Sequence, residues 1–258
     1  MLQITAELID RQSQGPGQEL QLRAPELAQQ LSPGQAVLLR GGWGPEPHLR
    51  RTFHPVAIDG ESWTIRVPPS GDRAHAWLRT APLGAEIDCL GPVGRGFSLP
   101  SALHNVLCIG KGEPAWALLP LILLADARRG AVTFAVQSHS YRDLIPPHRL
   151  PATVEYRVAT LDGRRGGPER LLPGLAEALR WADAVAAVGP ADFYDELAEA
   201  IEGARYTLSR GFAQVLHPAT FVCGVGACQA CVADVAGGRR RVCLRGPVFD
   251  LVDLVTRR

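Results

Sequence analysis

The chain has 258 residues, with 27 basic and 26 acidic side chains and a formal net charge of +1, which gives no electrostatic footprint for nucleic acid or an anionic membrane. Its 27 Gly and 21 Pro residues stay below low-complexity composition, and six cysteines are too few for a disulfide scaffold. The longest apolar run, residues 115–125, contains Pro120 and is too short to span a bilayer. Met1-Leu2-Gln3-Ile4 opens no charged-then-apolar signal segment, so a soluble, cytoplasmic protein is expected. The length exceeds one typical core, and two domains with a small appendage are the natural organisation.

Taken in chain order, short alternating runs at 3–8, 19–23, 36–39, 62–67 and 86–90, cut by turn residues, predict a small antiparallel barrel or sandwich over 1–100. After Asn105 the texture changes. An all-apolar strand at 106–109, a Gly-containing turn and an apolar helix are followed by a strand at 131–137; the all-apolar signature returns at 184–188, before Gly189-Pro190 and a helix at 192–202. Alternation of strand and helix predicts a parallel-sheet α/β domain over 101–215, interrupted by a polar loop at 162–168. Trp116 reads as core.

Residues 216–258 hold four of the six cysteines, as Cys223-x4-Cys228-x2-Cys231-x11-Cys243. This is the plant-type ligand spacing of a [2Fe–2S] cluster, in which three thiolates converge from one tight loop and a fourth arrives separately. Gly224 and Gly226 suit such a loop, because without Cβ they reach φ > 0 and bring N–H groups close to sulfur. The alternation Cys231-Val232-Ala233-Asp234-Val235 predicts a strand, Gly237-Gly238 a hairpin turn, and a return strand through Arg241-Val242 that delivers Cys243. Zinc and disulfides are the competing readings. Structural zinc favours two short knuckles, whereas here the fourth cysteine stands alone; disulfides need an oxidising compartment. Cys89 and Cys108, single in apolar stretches, read as core. Arg239-Arg240-Arg241 reads as a solvated hairpin face.

A barrel, an α/β domain and this cysteine run in that order resemble one family, the electron-transfer subunits of dihydroorotate dehydrogenase among the ferredoxin-reductase-like flavoproteins. The resemblance covers the whole chain. It rests on Ser32-Pro33-Gly34-Gln35, Leu90-Gly91-Pro92-Val93-Gly94-Arg95-Gly96-Phe97, Val188-Gly189-Pro190, Cys223-Gly224-Val225-Gly226-Ala227-Cys228-Gln229-Ala230-Cys231, and Cys243 followed by Gly246-Pro247-Val248-Phe249-Asp250. It implies a barrel that holds FAD, an α/β domain that receives NAD as substrate, and a cluster with ligands Cys223, Cys228, Cys231 and Cys243. The cluster would pass electrons between FAD and the FMN of a separate catalytic subunit, in a heterotetramer serving pyrimidine biosynthesis. No acid–base residue is implied.

Several positions depart from the family pattern. The flavin motif Arg-Pro-Ile-Ser-Ile maps onto His54-Pro55-Val56-Ala57-Ile58, losing its arginine and serine; alternatively, Arg51-Thr52-Phe53-His54 is a variant of Arg-x-Tyr-Ser and keeps an arginine for the pyrophosphate. Candidate flavin contacts by resemblance are therefore Arg51, Phe53, His54, Pro55, Val56 and Ala57, with Arg66 from the next strand. Ala74-His75 stands where a Gly-Thr pair opens a helix toward the flavin phosphates. For NAD the candidates are Gly110 and Gly112, in Gly110-Lys111-Gly112-Glu113-Pro114, where Pro114 and Glu113 replace a glycine-rich run; an ordinary strand-to-helix turn explains those two glycines equally well. Two other functions stay open: a cluster-bearing carrier that has lost its nucleotides, and a reductase subunit for a different partner.

Overall fold

The structure, a computed structural model, describes residues 1–41, 49–100, 104–164 and 171–255. It contains two compact units: Met1–Gly96 with Ala219–Val232 and Arg241–Pro247, and Phe97–Pro218 with Ala233–Arg240 and Val248–Arg258.

The first unit is built on seven antiparallel strands: β1 (Leu2–Gln14), β2 (Gly17–Arg23), β3 (Ala36–Gly41), β4 (Arg51–Phe53), β5 (Ala57–Ile58), β6 (Ser62–Val67) and β7 (Glu86–Val93). They pair in the order β4-β3-β7-β1-β2-β6-β5. The barrel-or-sandwich expectation resolves to one curled sheet whose end strands, β4 and β5, do not pair with each other. Period-two alternation drives it: Ala6 and Leu8 of β1, Leu20 and Leu22 of β2, and Trp63 and Ile65 of β6 are fully buried in one core. A short helix, α1 (Pro25–Ala28), adds Leu27, and α2 (Arg73–Thr80) adds Leu78.

The second unit carries β8 (Asn105–Lys111), β9 (Ala131–Ser138), β10 (Glu155–Thr160), β11 (Ala184–Val188) and β12 (Ala213–Leu216), all parallel. The hairpin β13 (Val232–Val235) and β14 (Gly238–Arg241) follows, then β15 (Val248–Asp250), which adds antiparallel to β12. The sheet order is β10-β9-β8-β11-β12-β15. Helices α3 (Leu119–Ala127), α4 (Ala176–Trp181) and α5 (Ala191–Arg205) cross over and α7 (Leu251–Val255) follows β15; α6 (Val242–Arg245), before β15 in the chain, belongs to the first unit. The all-apolar strands are the central ones because both their faces are covered: Leu107, Cys108 and Ile109 of β8 and Ala187 of β11 are fully buried. Connections run from β8 to one side and from β11 to the other, so the topological switch point lies at the carboxyl ends of these two strands, next to Gly110–Gly112 and Gly189. The polar loop expected at 162–168 lies partly outside the described residues.

Within the first unit, Gly94-Arg95-Gly96 forms the bed for the segment that returns after the last cysteine. Arg95 N–H donates to the Gly246 carbonyl at 2.5 Å. Gly94 has φ +78°, and a Cβ there would lie 2.3 Å from the Gly246 oxygen. Gly94→Ala therefore meets both a left-handed backbone and a backbone clash. It should destabilise the fold by about 1–3 kcal/mol in urea unfolding and lower the metal content of purified protein.

Candidate functional site

The ligand loop is fixed to the first unit before its cysteines begin. Phe221 is fully buried, and its N–H donates to Thr52 Oγ1 on β4 at 2.8 Å. Gly224 lies against the sheet, its absent Cβ 3.3 Å from the Leu90 and Val93 side chains and 3.6 Å from Leu38. Gly224 (φ +70°), Gly226 (φ +76°) and Gln229 (φ +57°) all take left-handed conformations. Such alternation curls successive N–H groups inward. The Cys228 N–H lies 3.5 Å from Cys223 Sγ, and with the N–H groups of Val225 and Ala227 it lowers the Cys223 thiol to about 6.

The other two cysteines form a second pair. Cys243 N–H lies 3.5 Å from Cys231 Sγ, and Val242 N–H donates to the Cys231 carbonyl at 2.7 Å. Burial, then the neighbouring Cys231 and Cys223, push the Cys243 thiol up to about 12. The expected return strand stops at Arg241, and Cys243 is delivered by the first turn of α6. Arg241 donates to the Gly226 carbonyl at 2.9 Å, closing loop and return segment together. The backbone contacts thus group Cys223 with Cys228 and Cys231 with Cys243, four sulfur donors of the type a two-iron cluster takes. Among the described residues, no three His, Cys, Asp or Glu side chains meet as a site for one ion. Cys228 is exposed, whereas Cys231 and Cys243 are buried. Val225 (46% exposed), Leu244 (41%) and Val222 (38%) leave apolar surface on the same segments. Cys89 and Cys108 are both fully buried core; burial raises both thiols, Cys108 to about 12.

The flavin candidates divide into three groups. Arg51, Phe53, Ala74 and His75 come together where β4 meets the start of α2: the Phe53 and His75 rings are 5.5 Å apart, and Arg51 Nε is 2.9 Å from Asp72 Oδ2. Asp72 caps α2, accepting from the N–H groups of Ala74 and His75. Burial lowers the His75 pKa despite the Asp72 charge. His54 turns elsewhere, its Nδ1 3.2 Å from the Gln35 carbonyl, and burial lowers its pKa too. Pro55 and Val56 are buried, and Ala57 opens β5 half-exposed. Arg66 is buried under the β1–β2 hairpin, donating to the Gln14 carbonyl at 2.9 Å and facing Glu19 at 4.0 Å. Asp72 and Thr52 belong to the site through contacts that the flavin motifs do not mark. An aspartate directly before a helix is a readable N-cap signal, whereas the Thr52 contact spans 169 positions and leaves no local trace.

In the second unit, Gly110 packs on the following turn, where a Cβ would lie 2.4 Å from that of Ala115. Gly112 has φ +77° and donates to the Gln137 carbonyl at 2.7 Å. Lys111 Nζ sits 5.4 Å over the Phe193 ring and 3.9 Å from Glu196. Trp116 is 2% exposed, in the core. Residues 238–241 are exposed throughout, with Arg239 paired to Asp234.

Residues 219–255 match the family described as the iron-sulfur cluster binding domain of dihydroorotate dehydrogenase B. The chain is 30% identical over 240 residues, 89% of each chain, to the dihydroorotate dehydrogenase B (NAD(+)) electron transfer subunit of Shouchella clausii. It is 30% identical over 246 residues, 92% of each, to that of Geobacillus thermodenitrificans. Among solved structures it is similar in fold to the NADH-dependent reduced ferredoxin-NADP oxidoreductase, with TM-score 0.82, 20% identity and coverage of 98% of this chain and 92% of that one. A ferredoxin reductase of carbazole 1,9a-dioxygenase follows at TM-score 0.64 and 20% identity, covering 79% and 66%.

The N–H cluster around Cys223 predicts selective chemistry in cluster-free protein. A thiol lowered to about 6 becomes a thiolate as pH rises through that value, so iodoacetamide labelling of Cys223 should climb between pH 5 and 7 on the order of a unit either side of the midpoint. Cys108, raised to about 12, should stay unlabelled until the chain unfolds. Peptide mapping by mass spectrometry reads both.

Proposed function

This chain belongs to the family of dihydroorotate dehydrogenase B electron transfer subunits, and we propose that it relays electrons between a catalytic flavoprotein subunit and NAD in pyrimidine biosynthesis. The observation that carries this reading is the complete set of four cysteines in two pairs, seated on the same unit as the candidate flavin residues. When bound, the cluster moves single electrons, and FAD interconverts these with the two-electron chemistry of nicotinamide.

The chain's own residues supply binding, orientation and electrostatics. Cys223 and Cys228 would hold one iron, Cys231 and Cys243 the other. N–H groups of Val225, Ala227 and Cys228 direct partial positive charge at sulfur, which favours the more negative, reduced site. Arg51 and the first turn of α2, with Phe53 and His75 beside them, receive FAD on the barrel of 1–100. Gly110 and Gly112 border the NAD crevice of the α/β domain, 101–215, and 216–258 is the cluster segment. The exposed edge at Cys228, with Val222, Val225 and Leu244 on the same segments, is the face offered to an FMN-containing catalytic partner in a heterotetramer. A fully buried cluster would be insulated from any partner. No helix among the described residues is long and apolar enough to cross a membrane, and the assignment to the cytoplasm rests on the pathway.

Anaerobically purified protein should contain about two irons per chain together with flavin. Cys228→Ser should lower electron delivery to the catalytic subunit by more than about tenfold while leaving NADH-dependent flavin reduction nearly unchanged, since the cluster and flavin are separate redox groups. Equal loss of both activities would mean that the cluster holds the fold and does not relay. Iron without flavin would favour the nucleotide-free carrier, a reading supported by how the Arg51 side chain is already paired.

A further inference from the structure

The donors that the flavin pyrophosphate requires are already satisfied from within the chain. Arg51 Nε donates to Asp72 Oδ2 at 2.9 Å, and Arg51 Nη1 donates to the Leu49 carbonyl at 2.8 Å. The other carboxylate oxygen, Asp72 Oδ1, accepts from Ala74 N–H at 2.9 Å and His75 N–H at 3.1 Å. A guanidinium and two N–H groups at a helix start converging on one anion is the arrangement that binds phosphate oxygens. Here the anion is a side chain.

Resting on the reading that FAD binds at β4 and α2, we propose that Asp72 sets how tightly this chain holds FAD. Its carboxylate accepts from the guanidinium and N–H groups that would hold the pyrophosphate, so the two anions compete for the same donors.

Three features support an exchangeable stand-in over a fixed structural ion pair. The Arg51 and Asp72 side chains are 28% and 32% exposed, and ion pairs so open to water contribute little stability. Both partners therefore separate at small cost. Partial burial raises the Asp72 carboxyl, but the hydrogen bond and charge of Arg51 and the N–H groups of His75 and Ala74 outweigh it, so the group stays ionised at neutral pH. An ionised carboxylate and a pyrophosphate cannot share these donors, because like charges within a few ångströms repel. Finally, the helix cap does not need the charge: asparagine and serine accept the same N–H bonds. His75, whose Nδ1 is 2.8 Å from Ser70 Oγ, flanks these donors without bringing a second carboxylate.

The test compares two flavins that differ in phosphate. Flavin-free, cluster-loaded full-length protein is titrated with FAD and with riboflavin, following flavin fluorescence, for wild type, Asp72→Asn and Asp72→Ser, with thermal melting to verify folding. Asp72→Asn should bind FAD at least about tenfold tighter than wild type, as expected for removing one competing charge, and bind riboflavin equally. Asp72→Ser should follow the same direction. Adding Arg51→Ala to Asp72→Asn should abolish the gain for FAD alone. FAD affinity unchanged or weaker in folded Asp72→Asn and Asp72→Ser, or an equal shift for riboflavin, overturns the proposal while leaving FAD binding intact. Failure of every variant and of wild type to bind FAD overturns the proposal and the FAD reading together, which the titration distinguishes because the flavin is then absent throughout.

Discussion

The hydrogen bond from Phe221 N–H to Thr52 Oγ1 is the point on which the rest of the site depends. It joins the strand bearing the flavin candidates Arg51 and Phe53 to the residue two positions before Cys223. Gly224 continues the attachment by lying on Leu90 and Val93, and the Gly94–Gly96 bed holds the segment that leaves Cys243. Entry and exit of the ligand segment are thus both fastened to the barrel. A cluster loop held on the unit that carries the flavin candidates keeps the two redox groups of a relay within one folded body.

The two halves of that relay differ in how completely they are formed. The cysteine pairs have their full donor set, and backbone N–H groups already face Cys223. Among the flavin candidates, Arg51 and the first N–H groups of α2 hydrogen-bond to Asp72. In the α/β unit, Gly110 is explained by packing on Ala115, and Lys111 is engaged with Phe193 and Glu196. A nucleotide entering either place must exchange contacts that the chain now makes with itself. Affinity there depends on differences between two sets of contacts, and is easier to shift by single substitutions than the thiolate ligation of iron.

Much of this was legible in the sequence wherever the signal was local. The alternation of Leu20 and Leu22, or of Trp63 and Ile65, marks a half-buried strand, and the unbroken apolar run at 106–109, flanked by turn residues, fits a strand covered on both faces. The cysteine spacing carried its own chemistry. Elements with too few residues for a period left no trace: β4 has three residues and β5 two. The return strand ends at Arg241 and not at Val242, because Gly238-Arg239-Arg240-Arg241 has no alternation to mark where extension gives way to α6. Nor does any local pattern tell that β15 pairs with β12, or that Thr52 receives Phe221; those follow from tertiary packing across long separations.

The central claim is that the cluster and the flavin sit on one unit and exchange electrons within one chain. The direct measurement is stopped-flow reduction of the isolated, fully loaded chain by NADH, following the cluster by rapid-freeze electron paramagnetic resonance over a wide range of protein concentration. With both groups on one unit, the cluster is expected to be reduced after the flavin at a rate independent of protein concentration. A rate that rises in proportion to protein concentration would mean that electrons cross between molecules, and would contradict it.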